Sequence, residues 1–544
     1  MHGKFKPTKK PVKLSDLKTR KKSRLDTIIK RLEQQDESQT ENERIKEDID
    51  LNLLLLQKIF QDCSDIKFHA FSISTQKIKC LLVYSEGLID KKTVNDNILH
   101  TLTTDLRLTQ LDGDIEKSGL SQLIKDTIIS VGEVSTVTQM KDAVNGVLTA
   151  RCLVLADGND VGLAIETKGF ETRGVSDPKL EPLLRGPQEG LVENLKTNIS
   201  MLRRRIKTPK LKMERFEIGR ISKTEVILAY ISGIAEEKLI DEIKLRLNRI
   251  DIDVCFESSY IEQLVEDNPL SPFPLLDITE RPDGCAIALS EGRAVIIVDG
   301  TPFALLAPTV LLNMMSSYED YYVRTYIAPL SKLLRFLTLF ISLFGPSLYI
   351  AITTFHQEMI PQSLLITIAG ARAEVPFPAI MEALIMEVTF EIIREASERS
   401  PRYLVQTVGL LGALVIGQTA VQAGLVSQAM LIVVAITGIA SFTIPKFHLS
   451  RAIRLLRFPL MFLAGFFGIF GLIMGILALL VHLASLRSFG VPYLSPISPV
   501  DINAWGELVV KMPKWLIIKR PAFIQDNNIK RAKKGLRPRP PKKD

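Results

Sequence analysis

The chain has 544 residues and a mass of 60.8 kDa; it is 46% hydrophobic and 24% charged, with a mean hydropathy of +0.16. That balance excludes a disordered chain and a protein lying wholly in lipid, and predicts a soluble part joined to a membrane part. The net charge of +8 hides two basic ends: residues 1–31 and 511–544 each hold 12 Lys/Arg against two Asp, which leaves a body of −12.

Residues 1–50 read as a basic and polar extension. In 51–175 the pattern predicts an α/β subdomain: a helix over Leu51–Phe60, strands over Phe68–Ser74 and Ile78–Tyr84, and a helix over Val94–Leu106. A strand over Glu133–Thr138 follows, then a helix over Met140–Ala150 and a strand pair, Cys152–Ala156 and Val161–Thr167. Residues 176–306 predict a second α/β subdomain. Its helices are Gly190–Arg205 and Glu236–Arg249, its strands Val226–Ile231, Ala286–Leu289 and Ala294–Val298, and a Pro-rich loop covers Asn268–Pro274. Arg185 and Glu189 flank a Gly-Pro helix start, which structure alone explains; they are also candidates for a subunit contact.

From 307 to 487 the chain predicts an all-α polytopic membrane domain, followed by a basic tail over 488–544. Three uncharged runs carry the reading: Phe336–Phe355 of 20 residues, Tyr403–Pro445 of 43, and Phe458–Leu486 of 29, whose one ionisable group is His482. A crossing needs about 20 apolar residues, so the first run is one span, the second two with a break near Ala423-Gly424, and the third one long or bent span. Pro361–Ala371 is too short to cross and reads as a re-entrant or interfacial piece. Residues 376–398 are helical in period but acidic; whether they cross decides between four and five spans. The basic loop 446–457 and the basic tail cannot share a side if Phe458–Leu486 crosses once: that segment is a hairpin, or one basic segment lies outside. The expectation adopted is four crossings with both termini cytoplasmic.

Within the acidic helix, Glu387, Glu391, Glu395 and Glu398 share one face. The plain reading is a solvated interfacial helix; the alternative is a cation-attracting vestibule. Glu382 projects from the apolar side and needs a partner, such as Arg372, or a watery cavity. In Gly409–Gly424 the residues Leu411, Val415, Gln418 and Gln422 form one stripe, either helix–helix glue or a pore surface. His356 with Glu358 reads as an interfacial cap rather than a catalytic pair. Cys63, Cys80, Cys152, Cys255 and Cys285 have no C-x-x-C spacing, which argues against zinc and disulfides. The first residues lack the apolar core of a signal peptide. No catalytic motif or metal-ligand spacing stands out, so neither an enzyme nor a cofactor is expected. The basic ends suit solvated arms or anionic lipid, and nucleic acid is not expected.

The runs Arg185–Lys207, Pro272–Pro282, Glu291–Pro302, Tyr318–Tyr322, Thr353–Pro361, Val375–Ala379 and Gly412–Pro445 resemble the A subunits of GerA-type spore germinant receptors, over about residues 50–520. The resemblance implies a multi-pass protein of the spore inner membrane, with its soluble region on the core side. It implies work with a transporter-like B subunit and a lipoprotein C subunit. It further implies a homo-oligomer, a pentamer, that forms a nutrient-gated channel for monovalent cations and starts germination. In such a ring, Val415, Gln418 and Gln422 would face the pore, with the Glu387–Glu395 stripe as a vestibule. The competing readings are a non-conducting signalling scaffold and a secondary transporter, for which no inverted repeat is visible.

Overall fold

A computed structural model describes residues 42–73, 78–105, 133–169, 177–401 and 417–500, with short stretches of the C-terminal tail. The chain divides into two compact units. Unit 1 holds Met1–Val175, Val192–Phe216 and Glu225–Ser232; unit 2 holds Ser176–Leu191, Glu217–Thr224 and Gly233–Asp544.

In unit 1 the predicted alternation becomes a fully antiparallel sheet of order β1-β2-β4-β5-β3. The strands are β1 Ile66–Ile73, β2 Ile78–Ser85, β3 Val134–Val137, β4 Arg151–Ala156 and β5 Gly162–Glu166. Successive residues point to opposite faces, and both faces are covered. Leu81, Val83, Leu153 and Leu155 pack under α1 (Ile49–Ile59) and α2 (Met140–Leu148). Cys80, Leu82, Cys152 and Val154 pack under Val94, Ile98 and Leu102, whose four-residue spacing suits the π-helical turns Val94–Leu99 and Thr101–Asp105 found where an ordinary helix was expected. The helix expected from Gly190 starts later, as α3 (Leu195–Arg205), because the Asn194 side chain accepts from the Lys196 and Thr197 amides and caps it there. Arg203 on α3 is fully buried and donates to both Asp65 oxygens, at 2.9 and 2.7 Å. Most of two adjacent strands, β6 (Leu211–Ile218) and β7 (Thr224–Ile231), also falls in unit 1; β6 was not expected.

Unit 2 begins with α4 (Glu237–Arg249), α5 (Ser258–Val265), β8 (Asp277–Thr279), α6 (Pro282–Glu291), β9 (Ala294–Val298) and β10 (Ala304–Ala307). The strands pair antiparallel in the order β9-β10-β8, with β9 and β10 wholly buried. Ala286–Leu289, expected as a strand, lies inside α6. Pro282 opens that helix and Gly292, at φ +98°, closes it in the left-handed conformation; these two signals outrank a four-residue apolar run.

The helical part comprises α7 (Ile327–Phe355), α8 (Gln362–Ala373), α9 (Ala379–Arg399), α10 (Gly417–Gln422), α11 (Gln428–Phe442) and α12 (Phe447–Ser485), closed by a small hairpin of β11 (Arg487–Ser488) and β12 (Val491–Pro492). Of these, α7 and α12 are long and apolar enough to cross a membrane, and α11 is a shorter apolar helix. The expected break near Ala423-Gly424 is present: α10 ends at Gln422, Gly424 sits at φ +67°, and Ser427 caps α11. Helices α7 and α11 run antiparallel, since Thr338 meets Thr443 at one end and Gly345 lies against Thr437 further along.

Helix α12 is not one rod. Gly468 has φ +61° and ψ −142°, outside helical space, and the chain reverses there. A Cβ built on Gly471 would lie 2.2 Å from the Leu463 carbonyl oxygen, and one on Gly475 would lie 2.6 Å from Leu460. Residues eight and fifteen apart touch in this way only in a folded-back pair, because a straight helix would separate them by about 12 and 22 Å. Both outer ends of α12 therefore meet the same region: Lys446, just before it, pairs with Asp277 at 2.9 Å, and His482 hydrogen-bonds Ser271 at 3.0 Å. At the opposite end, Phe355 and His356 close around Gly468.

Candidate functional site

The acidic face of α9 lies against the first arm of α12, and the two carry matched charges in antiparallel order. Glu387 pairs with Arg457, Glu391 with Arg454 at 2.7 Å, and Glu398 with Arg451 at 3.4 Å. Arg394 reaches Ser441 at 3.2 Å and stacks over the Phe442 ring at 4.6 Å. The innermost pair, Glu387 with Arg457, is essentially solvent-free, at 0% and 1% exposure. Arg457 also donates from Nε to the Ser342 carbonyl oxygen at 2.8 Å. That carbonyl would ordinarily bond the N–H four residues on, but Pro346 stands there and has none. One guanidinium thus neutralises a buried carboxylate and serves the acceptor orphaned by a proline. Glu395 is different: it is exposed and pairs with Arg399 on its own helix at 2.6 Å.

Near the other end of the bundle, Glu382 is fully buried. One of its oxygens accepts from the Ser427 amide at 2.9 Å, and the other lies 3.4 Å from Arg372 Nε. Arg372 belongs to α8, a helix with no buried residue, so this contact ties an otherwise uncovered helix to the bundle.

Gln418 and Gln422 are both exposed, one turn apart on α10; Leu411 and Val415 lie outside the described residues. Arg185 is exposed on a loop held from beneath by Arg281, which is fully buried and donates to the Glu181 and Pro187 carbonyl oxygens. Glu189, on the same loop, is partly buried. Among the described residues, no group of three or more His, Cys, Asp or Glu side chains converges in a way that could hold a metal.

Sequence reasoning missed the centre at the base of α12. Lys446 is buried and contacts Glu181 at 2.7 Å, Asp277 at 2.9 Å and the Ile278 carbonyl at 3.3 Å, with its ammonium 4.6 Å from the Tyr318 ring centroid. Burial opposes its charge, but Asp277 and Glu181 outweigh that and hold its pKa well above the usual lysine value. Lys446, Arg451, Arg454 and Arg457 read as a basic loop, yet each is an ion-pair partner within the unit, Lys446, Arg454 and Arg457 buried and Arg451 exposed. A signal existed: arginines three apart follow an apolar run, and glutamates four and seven apart precede one.

The model of the Bacillus/Clostridium GerA spore germination protein family matches residues 55–523. The chain is 42% identical over 516 residues to the uncharacterized membrane protein YfkQ of Bacillus subtilis (strain 168), covering 95% of this chain and 97% of the relative. It is 43% identical over 490 residues to spore germination protein KA of the same organism, covering 90% and 89%. Among solved structures it is similar to the N-terminal domain of the A subunit of the Bacillus megaterium spore germinant receptor GerK3, at 35% identity and a TM-score of 0.41, covering 50% of this chain and 98% of that one.

Proposed function

The chain belongs to the GerA family of spore germination proteins as a receptor A subunit, and from that premise we propose that it forms an oligomeric, nutrient-gated channel for monovalent cations. The observation that carries the reading is the pair Gln418 and Gln422. Both are exposed on α10, inside a run of 43 uncharged residues. Amide side chains left without partners in hydrocarbon are costly, so water or a second copy of the chain must meet them. A ring of copies, pentameric in this reading, would bring the Gln418 and Gln422 of each subunit around a wet axis, with Leu411 and Val415 as the apolar constriction of the same stripe.

Glu387 and Glu391 face arginines of α12 inside the unit, whereas Glu395 is exposed and its ion pair, with Arg399 on its own helix, is solvent-screened, so the vestibule role falls to Glu395 in this reading. Crossings are assigned to α7, to α9, which at 21 residues is about 31 Å long, to α11 and to both arms of α12. A sixth crossing is expected from sequence alone for the uncharged run that begins at Tyr403, whose residues 403–416 lie outside the described residues. An even number puts the basic tail on the side of the soluble region, the core side of the spore inner membrane, where anionic lipid can receive both basic ends. A transporter-like B subunit and a lipoprotein C subunit complete the receptor, with Arg185 and Glu189 offered for subunit contact.

The test is cation flux through the receptor reconstituted with its B and C partners and supplied with nutrient. Flux that is altered by Gln418→Leu, Gln422→Leu or Val415→Ala supports the reading. An assembled, nutrient-bound complex that passes no ions overturns it and leaves the non-conducting scaffold.

A further inference from the structure

A cavity of about 250 Å³ lies in unit 2 between α5, β8 and the first turn of α12. That is many times the space one water needs, and it admits a small organic molecule. Its walls are mostly apolar, with Leu276, Phe303 and Phe447 among them, and five carboxylates reach it.

Four of those carboxylates are already engaged. Glu181 and Asp277 hold Lys446, at 2.7 and 2.9 Å. Glu280 accepts from the Lys179 amide at 2.6 Å, and Glu257 from the Ser259 amide at 2.7 Å and Thr301 at 3.1 Å. The fifth, Glu262, has no hydrogen bond or ion pair from its carboxylate among the described residues. It sits on α5 beside the buried Ile261, partly removed from water, where an unpaired charge is unfavourable. The cationic groups on the far wall are committed elsewhere: Lys446 to its two carboxylates, and Arg451 to Glu398 and to the Phe447 ring, 4.0 Å away. One free carboxylate is too few oxygens for a divalent metal, which takes six or more oxygen ligands. It suits a single ammonium, and the aromatic and aliphatic walls suit an apolar tail.

We propose that this cavity binds a small primary ammonium compound with a short apolar tail, its ammonium on Glu262 and its tail between Phe303 and Phe447. The site is independent of the conduction reading, since it would stand in a channel or a scaffold. Its place against the first turn of α12 lets an occupant bear on the Lys446 centre.

The carboxyl also makes the binding pH-dependent. Burial, with Glu266 and Glu257 adding like charge, pushes the Glu262 pKa up to about 7. The groups facing it across the cavity are Glu181, Asp277, Glu280, Lys446, His448 and Arg451. An ammonium needs the ionised form, which is roughly 90% populated at pH 8 and roughly 10% at pH 6 for such a group. Affinity is therefore expected to fall about tenfold between those values.

The experiment is calorimetric titration of the full chain in detergent with n-butylammonium chloride, against sodium n-butyrate and potassium chloride. Expected are saturable one-to-one binding of butylammonium alone, a tenfold fall from pH 8 to pH 6, and at least a tenfold loss in Glu262→Gln with an unchanged melting temperature. If Glu262→Gln does not fold, Glu262→Asp retains the charge one methylene shorter and is expected to weaken binding while keeping the pH dependence. Absence of saturable butylammonium binding, binding of butyrate as strong, or undiminished binding in the folded variant overturns the proposal.

Discussion

Arg457→Met is the substitution that most directly tests the helical packing. In the folded chain Arg457 meets Glu387 without solvent and caps the Ser342 carbonyl that Pro346 leaves open. Removing one partner of a buried ion pair costs about 3–5 kcal/mol, because the other charge stays buried and alone. Orphaning a buried carbonyl adds about 1–3 kcal/mol. Taken toward the low ends, the loss is about 5 kcal/mol, read as a shift in equilibrium unfolding followed by circular dichroism in mixed micelles. Two further variants separate the components. Adding Glu387→Leu removes the stranded carboxylate and should bring stability back to within about 2 kcal/mol of the starting chain. Adding Pro346→Ala instead restores the missing N–H and should recover about 1 kcal/mol. If Arg457→Met lies within about 1 kcal/mol of the parent, or the double variant with Glu387→Leu is no more stable than the single one, the buried-pair account is wrong.

Three other outcomes follow from the same geometry. Gly468→Ala should destabilise by about 2–3 kcal/mol, from left-handed strain and a methyl 3.0 Å from Phe355 and His356; a straight helix would instead gain about 1 kcal/mol, so the sign of the shift decides whether the reversal exists. In unit 1, partial burial disfavours the Glu86 carboxylate, but hydrogen bonds from Lys91 and Lys196 prevail and lower its pKa to about 2. With a depressed folded pKa the contribution is full above pH 5 and lost as pH falls towards 2; acid titration of unfolding in Glu86→Gln should be flatter over that window, and an identical profile would refute it. All five cysteines are buried, and burial pushes the thiols up, Cys63 to about 11 and Cys80 to about 12. The native chain should therefore resist N-ethylmaleimide at pH 8 and react at all five positions in urea, whereas rapid labelling of the native chain would count against the described cores.

The strands of unit 1 were legible because each has Val, Ile, Leu or Cys on both faces, bounded by turn residues such as Asp157-Gly158. Where local signals competed, the stronger backbone constraint prevailed: Pro282 and Gly292 bracketed a helix that the run Ala286–Leu289 suggested as a strand. β6 escaped notice because charged residues, Lys212, Glu214, Arg215 and Glu217, interrupt its apolar positions, and Lys212 is buried all the same. The candidate site divided along similar lines. The carboxylate face of α9 follows from helical spacing alone. Its partners sit 63 and 70 residues further on, and no local period reports a pairing set by how two helices cross.

Glycine spacing carries the remaining lesson. Two basic segments flanking a 29-residue uncharged run looked incompatible with a shared side, because hydropathy sees one span and the run's length, about 43 Å as a single helix, permits a tilted one. The run holds four glycines within eleven residues: Gly465, Gly468, Gly471 and Gly475. Only Gly468 takes a conformation barred to other residues; the other three give up a side chain where a neighbour presses in, Gly465 against Ile380, Gly471 against Leu463 and Gly475 against Leu460. Two of those neighbours belong to the same run, on the other arm. Glycines that clear space for their own segment mark a reversal, whereas glycines that clear space for a different helix mark packing between helices. With the reversal in place, the segments flanking α12 meet neighbouring residues, Lys446 pairing with Asp277 and Ser488 donating to the Leu275 carbonyl oxygen, a closeness that hydropathy read as one span could not foresee.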